Sequence, residues 1–213
     1  QVFDTNESFS RWLRRGRKII VPFIIDDESE YKPHQIYKMF DAMREIEDAT
    51  CIKFMWKTNE LDYLFIYSGN WCNSYIGRLG GFQPLSIQAN ASCGDEKGAI
   101  IHLLLHALGL EHMHNHKDRN KYIKIIDENI YTNARGNFQV RTLSDNLTYD
   151  YYSIMHFGPY AFSENGFQTI VPINSFYNKI IGQRNKMSPG DIKRIRKMYK
   201  CKCLEKGKKK CSN

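Results

Sequence analysis

Four residues, His102, His106, Gly109 and His112, have the types and the spacing to hold a metal ion. On a helix, residues four apart stack on one face, so His102 and His106 can present two imidazole nitrogens to one ion. Gly109 lets the backbone leave the helix at positive φ and swing His112 back as a third ligand. Three neutral imidazoles plus one open position is the ligand set of a catalytic zinc site, whereas structural sites close all four positions. Two histidines on an apolar helix are, by themselves, usually satisfied core residues. The glycine and the third histidine at these offsets turn the reading to Zn2+ as cofactor.

These residues need a helix beneath them and a sheet to carry it. The zinc helix reads as residues 96–108, apolar and periodic, stopped by Gly109 as C-terminal cap. Upstream, residues 18–25 read as a strand, with Pro22 suggesting an edge or a bulge. Pro33 starts a helix whose Ile36, Met39, Phe40, Met43 and Ile46 share one face. Strand-like runs follow at 51–56 and 62–67, a turn at Gly77 to Gly81, and a further strand at 84–88. Beyond the zinc helix lies a long stretch of little periodicity, then a last helix over 188–199. Ser188 is its N-cap, with Pro189 at the first helical position and Asp191 in the first turn. No internal repeat is present, and the pattern predicts an α+β fold.

Further on, Ser153-Ile154-Met155-His156-Phe157 offers a methionine turn, the apolar floor that metzincins place under three such histidines. With it the chain resembles the astacin family. Tyr149-Asp150-Tyr151-Tyr152 leading into that turn is similar to a family segment, as are Thr50-Cys51-Ile52-Lys53-Phe54, Ser86-Ile87-Gln88-Ala89-Asn90 and Asp118-Arg119 followed by Tyr122. So is Cys72 followed by Tyr75-Ile76-Gly77-Arg78, and the resemblance runs over roughly residues 12 to 203. It implies a two-lobed metzincin domain. An N-terminal lobe over 1–109 would hold a mixed sheet and two long helices, including the zinc helix. An irregular C-terminal lobe over 110–203 would hold the Met-turn with Met155 and one C-terminal helix, leaving a basic tail at 204–213. The resemblance also implies disulfides Cys72–Cys93 and Cys51–Cys201. Cys203–Cys211 follows by elimination, with Cys201 and Cys203 hard to tell apart.

The chain departs from that family at the catalytic groups. Where the family has a glutamate directly after the first histidine, as general base toward the attacking water and then proton donor to the leaving amine, this chain has Leu103. Where the family has a tyrosine that binds zinc and steadies the oxyanion, this chain has Phe157, which lacks the oxygen. Met113 replaces a glutamate that meets the activated N-terminus, His116 an arginine and Asn120 an aspartate. A lost general base costs roughly 10²–10⁴ in rate, and a lost oxyanion donor about 10²–10³ more. Leu103 and Phe157 are therefore degenerate positions, and the expectation is a zinc-binding pseudoprotease that takes a peptide or protein partner in the old cleft. The 86–90 segment, expected as an edge strand, would add such a peptide by main-chain hydrogen bonds. Two alternatives stand beside it: an active zinc endopeptidase in which Glu111 serves as base, and a glycan- or surface-binding module.

Composition narrows the setting. The chain has 213 residues and 42% hydrophobic content, enough for one domain or two lobes. No run reaches the roughly 18 apolar residues of a membrane helix, and the start lacks a signal-peptide pattern, as in a mature secreted chain or a cytosolic one. Six cysteines without a CxxC pair favour disulfides and an oxidising compartment. Asn6, Asn90 and Asn146 head N-glycosylation sequons. The expectation is a secreted, extracellular glycoprotein. The net charge of +8 gathers at Arg11, Arg14, Arg15, Arg17 and Lys18 and at Lys206, Lys208, Lys209 and Lys210. Such basic ends are solvated segments or a patch for acidic glycans or membrane surfaces. No nucleic-acid recognition motif is present.

Overall fold

The computed structural model describes residues 2–3, 11–141 and 147–202. Asn6, Asn146, Cys203, Cys211 and the tail at 204–213 lie outside the described residues. The chain divides into two units, Gln1–Leu110 with Ile192–Asn213, and Glu111–Asp191.

In the first unit, seven strands form one mixed sheet: β1 (Val2–Phe3), β2 (Arg14–Arg15), β3 (Lys18–Ile25), β4 (Ile52–Trp56), β5 (Tyr63–Tyr67), β6 (Asn73–Tyr75) and β7 (Phe82–Ser86). Their order is β1-β6-β7-β5-β3-β2, with β4 also paired to β3. Three helices belong here: α1 (Pro33–Ala49), the single turn α2 (Ser92–Asp95) and α3 (Lys97–Ala107). The period-2 alternation of β5 buries Leu64 and Ile66, and α1 turns Met39, Ala42, Met43 and Ile46 inward. With Ile100, Ile101, Leu104 and Leu105 of α3 these make the core. Each of the leucine, isoleucine and methionine side chains contributes roughly 1.5–3 kcal/mol on burial. Cys51–Cys201 and Cys72–Cys93 are the two disulfides among the described residues.

Two sequence expectations are corrected. Pro22 is not on an edge strand, because β3 pairs with β4 over Ile19–Phe23 and with β5 over Phe23–Ile25. Ile20 N–H faces the opposite flank from β4, donating to Leu13 O. Pro22, two residues on, falls on that same flank between the last β2 pairing at Ile19 and the first β5 pairing at Phe23, where no ladder bond is needed. Nor is 86–90 an edge strand. Ser86 ends β7, which is enclosed by β5 and β6, and the chain then turns. The antiparallel strand toward the rim is β6, which takes β1 on its outer side in the register Val2↔Ser74, Phe3↔Tyr75.

The second unit holds short 3-10 turns and an antiparallel pair, β8 (Ile123–Ile125) with β9 (Ile170–Pro172). Its core gathers Met113, Ile123, Ile130, Phe138, Tyr149, Ile170 and Ile181. The final helix α4 (Pro189–Met198) begins in this unit. Ser188 Oγ accepts from Asp191 N at 2.9 Å while Asp191 Oδ2 accepts from Ser188 N at 2.9 Å, a reciprocal N-terminal cap.

Candidate metal centre

Helix α3 is apolar on every side, so its histidines lie among buried neighbours. It ends in a Schellman cap. Gly109, at φ 103°, donates to His106 O at 2.7 Å, and Leu110 N–H donates to Leu105 O at 2.9 Å. The remaining end carbonyls accept from Trp12 Nε1–H at Ala107 (2.8 Å) and from the Tyr199 hydroxyl at Leu108 (2.9 Å). This cap turns the chain so that one nitrogen from each of His102, His106 and His112 lies within 4.8 Å of the others.

The donor set fits zinc. His106 Nδ1–H donates to Leu110 O at 2.7 Å, which leaves Nε2 as the lone-pair nitrogen. That Nε2 stands 3.0 Å from His102 Nε2, with the two rings nearly perpendicular. Two imidazoles on one tetrahedral zinc at ordinary Zn–N lengths have nitrogens about 3.3 Å apart.

In the second unit, His112 is backed by aromatic rings. Phe157 lies 4.3 Å from it centroid to centroid and stacks on His114 at 3.9 Å, with Phe138 and Phe162 closing around. His114 Nε2–H donates to Asn137 O at 2.9 Å, and its buried Nδ1 has no hydrogen-bond partner among the described residues. Burial pushes the His114 pKa well below the ordinary histidine value. Phe157 is thus packed as a hydrocarbon ring. Met113 is likewise packed into the apolar core, and its N–H donates to Met155 O at 3.0 Å. His116 accepts from Asp118 N at Nδ1 and donates from Nε2 to Leu147 O at 3.1 Å.

The Met-turn is pinned by Asp191, a role the sequence reading missed. This fully buried carboxylate accepts from Ser153 Oγ–H at 2.5 Å, Ile154 N at 2.9 Å and Ser188 N at 2.9 Å. Burial raises its pKa, and the hydrogen bonds pull the other way. The one available signal was its place three residues after a serine N-cap. Also missed was the buried pair in which the Tyr149 hydroxyl donates to His156 Nε2 at 2.6 Å. Met155 is fully buried. Leu103 is 4% exposed, a hydrocarbon beside the first histidine. Asn90 is exposed in a turn.

A metzincin-type fold with a three-histidine site is the class that this geometry defines. The model of the astacin peptidase family matches residues 5–200, and the chain belongs to that family. It is 40% identical over 186 residues to high choriolytic enzyme 1 of Oryzias latipes, covering 86% of this chain and 67% of that protein. It is 35% identical over 194 residues to zinc metalloproteinase nas-4 of Caenorhabditis elegans, covering 88% of this chain and 60% of that one. The astacin-like metalloendopeptidase of Coturnix japonica is 39% identical over 184 residues, and the match spans 44% of its length. The solved structure of high choriolytic enzyme 1, a hatching enzyme zinc-protease, superposes with a TM-score of 0.85 at 37% identity, over 93% of this chain and 100% of that one. Myroilysin shares the fold at 19% identity, with a TM-score of 0.58. Zinc is the cofactor of this family, and the three histidines form a site that can hold it.

Proposed function

We propose that this is a secreted zinc-binding pseudoprotease, holding the ion through His102, His106 and His112 and binding peptides without cleaving them. The observation that carries the reading is Leu103. Peptide hydrolysis needs a proton acceptor for the attacking water, a donor to the oxyanion and a proton for the leaving nitrogen. Bound zinc supplies Lewis-acid polarisation at the open fourth position. The rest must come from side chains, and at the position next to His102 the chain places a buried hydrocarbon. Phe157 offers no hydroxyl, and its ring is held by His114 and Phe138. Met113, packed in the core, carries no carboxylate to receive an N-terminus.

Peptide binding rests on β6. A peptide strand taking the place of β1 on its outer side would make the main-chain hydrogen bonds that β1 makes there, and these need no catalytic group. Secretion is supported by the two disulfides and by the relatives, one of which is a hatching enzyme. No helix among the described residues is long and apolar enough to cross a membrane.

A second reading, an active endopeptidase, is favoured by relatives named as a zinc metalloproteinase and a hatching enzyme zinc-protease. It would need Glu111, half-buried beside His112, as base. Metal analysis with mass spectrometry of an incubated peptide separates the two. The pseudoprotease reading expects one zinc per chain, lost on His106→Ala, and an intact peptide. Zinc with cleaved peptide establishes the second reading, and a chain that takes no zinc refutes both.

A further inference from the structure

The basic residues near the start of the chain do not form a loose solvated run. β2 and β3 make a hairpin with the two-residue turn Gly16-Arg17, in the register Arg14↔Ile19, Arg15↔Lys18. Gly16 sits at φ 61°, the left-handed conformation such a turn requires. The register puts Arg15 and Lys18 directly opposite each other, a like-charge cross-strand pair that destabilises a sheet. Arg17 adds a third cation at the tip.

The hairpin is fastened to the other end of the chain. Arg14 donates from Nη2 to the carbonyls of Tyr199 and Lys200, and from Nη1 to Arg17 O at 3.2 Å. Lys200 caps α4 at φ 48°, with Cys201 N–H bonded back to Arg196 O at 2.9 Å. Arg14 therefore places a cation on the outgoing carbonyls after α4 and ties the backbone at Lys200 to the turn at Arg17, all within the first unit. The Cys51–Cys201 disulfide holds the same chain end to the sheet. Arg11, Arg17, Lys200 and Lys202 are exposed. The acids beside the hairpin are engaged, Glu60 with Arg15 at 3.1 Å and Asp62 with Arg78.

We propose that this basic face, built from residues 11–18 and 200–202, is a docking surface for a sulfated polysaccharide. Charge complementarity names the partner's sign, and the arginine content suits sulfate, whose oxygens a guanidinium meets two at a time. Two disulfides place the chain where polyanions are sulfated glycans. Anionic lipid is concentrated in the cytoplasmic leaflet. The proposal shares the extracellular assignment made above, and it depends neither on zinc nor on the loss of proteolysis.

The test is retention of the full-length chain on immobilised heparin as a function of salt. One variant carries Arg17→Ser, Lys18→Ser, Lys200→Asn and Lys202→Ser, leaving the Arg14 clamp intact. A second, Lys124→Ser with Arg135→Ser, removes charge from the second unit, and a third lacks residues 204–213. The expected result is that the quadruple variant loses roughly one in the log-affinity against log-salt slope for each contact removed. Its affinity near 0.15 M salt should fall by tenfold or more, by the usual order of such electrostatic losses. The charge-control and trimmed chains should stay within about threefold of the parent, well short of that loss. Independently of any variant, bound heparin should shield Lys18, Lys200 and Lys202 of the parent from amine acetylation. Equal loss in the charge control, loss on trimming alone, tighter binding to phosphatidylserine vesicles than to heparin, or unshielded lysines would each overturn the assignment.

Discussion

Acid should unfold this chain partly through one buried side chain, His156. Its Nε2 accepts from the Tyr149 hydroxyl at 2.6 Å and its Nδ1–H donates to Phe157 O at 2.6 Å, so the neutral ring is fully satisfied and buried. Burial pushes its pKa from the ordinary 6.5 down to about 4. A histidine depressed on folding takes its proton first in the unfolded chain. Its contribution is therefore complete above pH 6.5, declines as pH falls, and is lost once pH has passed about 4. At about 1.4 kcal/mol per pH unit, that interval is worth roughly 3 kcal/mol. The measurement is urea unfolding from pH 7.5 to 3.5 in chelator, for the parent and for His156→Asn, whose amide can replace the Nδ1 donor. Metal release and the parallel titration of buried His114 then act on both chains. The variant should be the less stable at neutral pH, and the gap should close by roughly 3 kcal/mol across the interval. A gap that stays constant with pH would refute the assignment of His156 as a buried neutral base.

Replacing Cys51 by Ala opens a loop closed over a sequence separation of 150 residues, for which chain entropy gives about 5 kcal/mol; thermal unfolding of oxidised parent and variant should show a large fall, and an unchanged midpoint would contradict the pairing. Gly182→Ala should cost roughly 2–4 kcal/mol, because φ is 83° and a Cβ there would run into Gly158 Cα and stand 2.7 Å from Gly158 N, next to Phe157; denaturant titration checks this, and a change within 0.5 kcal/mol, the range of neutral surface substitutions, would show that the two glycines are not in contact. Leu103→Glu alone should recover little hydrolysis of a fluorogenic peptide, and Leu103→Glu with Phe157→Tyr much more than the two single gains combined, since both groups act on one transition state. Additive gains would show that Phe157 is not at the oxyanion position.

The parts of the site legible in the sequence are those governed by local periodicity. His102 and His106 four apart, Gly109 at positive φ and His112 after it form a single helix-and-cap motif, and nothing distant is needed to write it down. The strands at 18–25 and 62–67 and the helix from Pro33 announce themselves in the same way. What escaped depends on partners far along the chain. Asp191 looks like a helix cap and also pins Ser153, 38 residues away. Tyr149 and His156 face each other only because the Met-turn folds back. Pro22 looks like an edge residue because the gap it fills, between the β2 and β5 pairings, exists only in the assembled sheet. The shift from the expected edge at 86–90 to β6 has the same origin, since strand order is set by crossovers and not by residue pattern.

Casein turnover by the zinc-loaded, oxidised natural chain, with and without a chelator, is the most direct test of the central claim. The account expects no chelator-sensitive cleavage above the zinc-free control, with one zinc still bound per chain. Chelator-sensitive cleavage at a rate comparable with high choriolytic enzyme 1 assayed alongside would contradict it and move Glu111 into the role that Leu103 cannot fill.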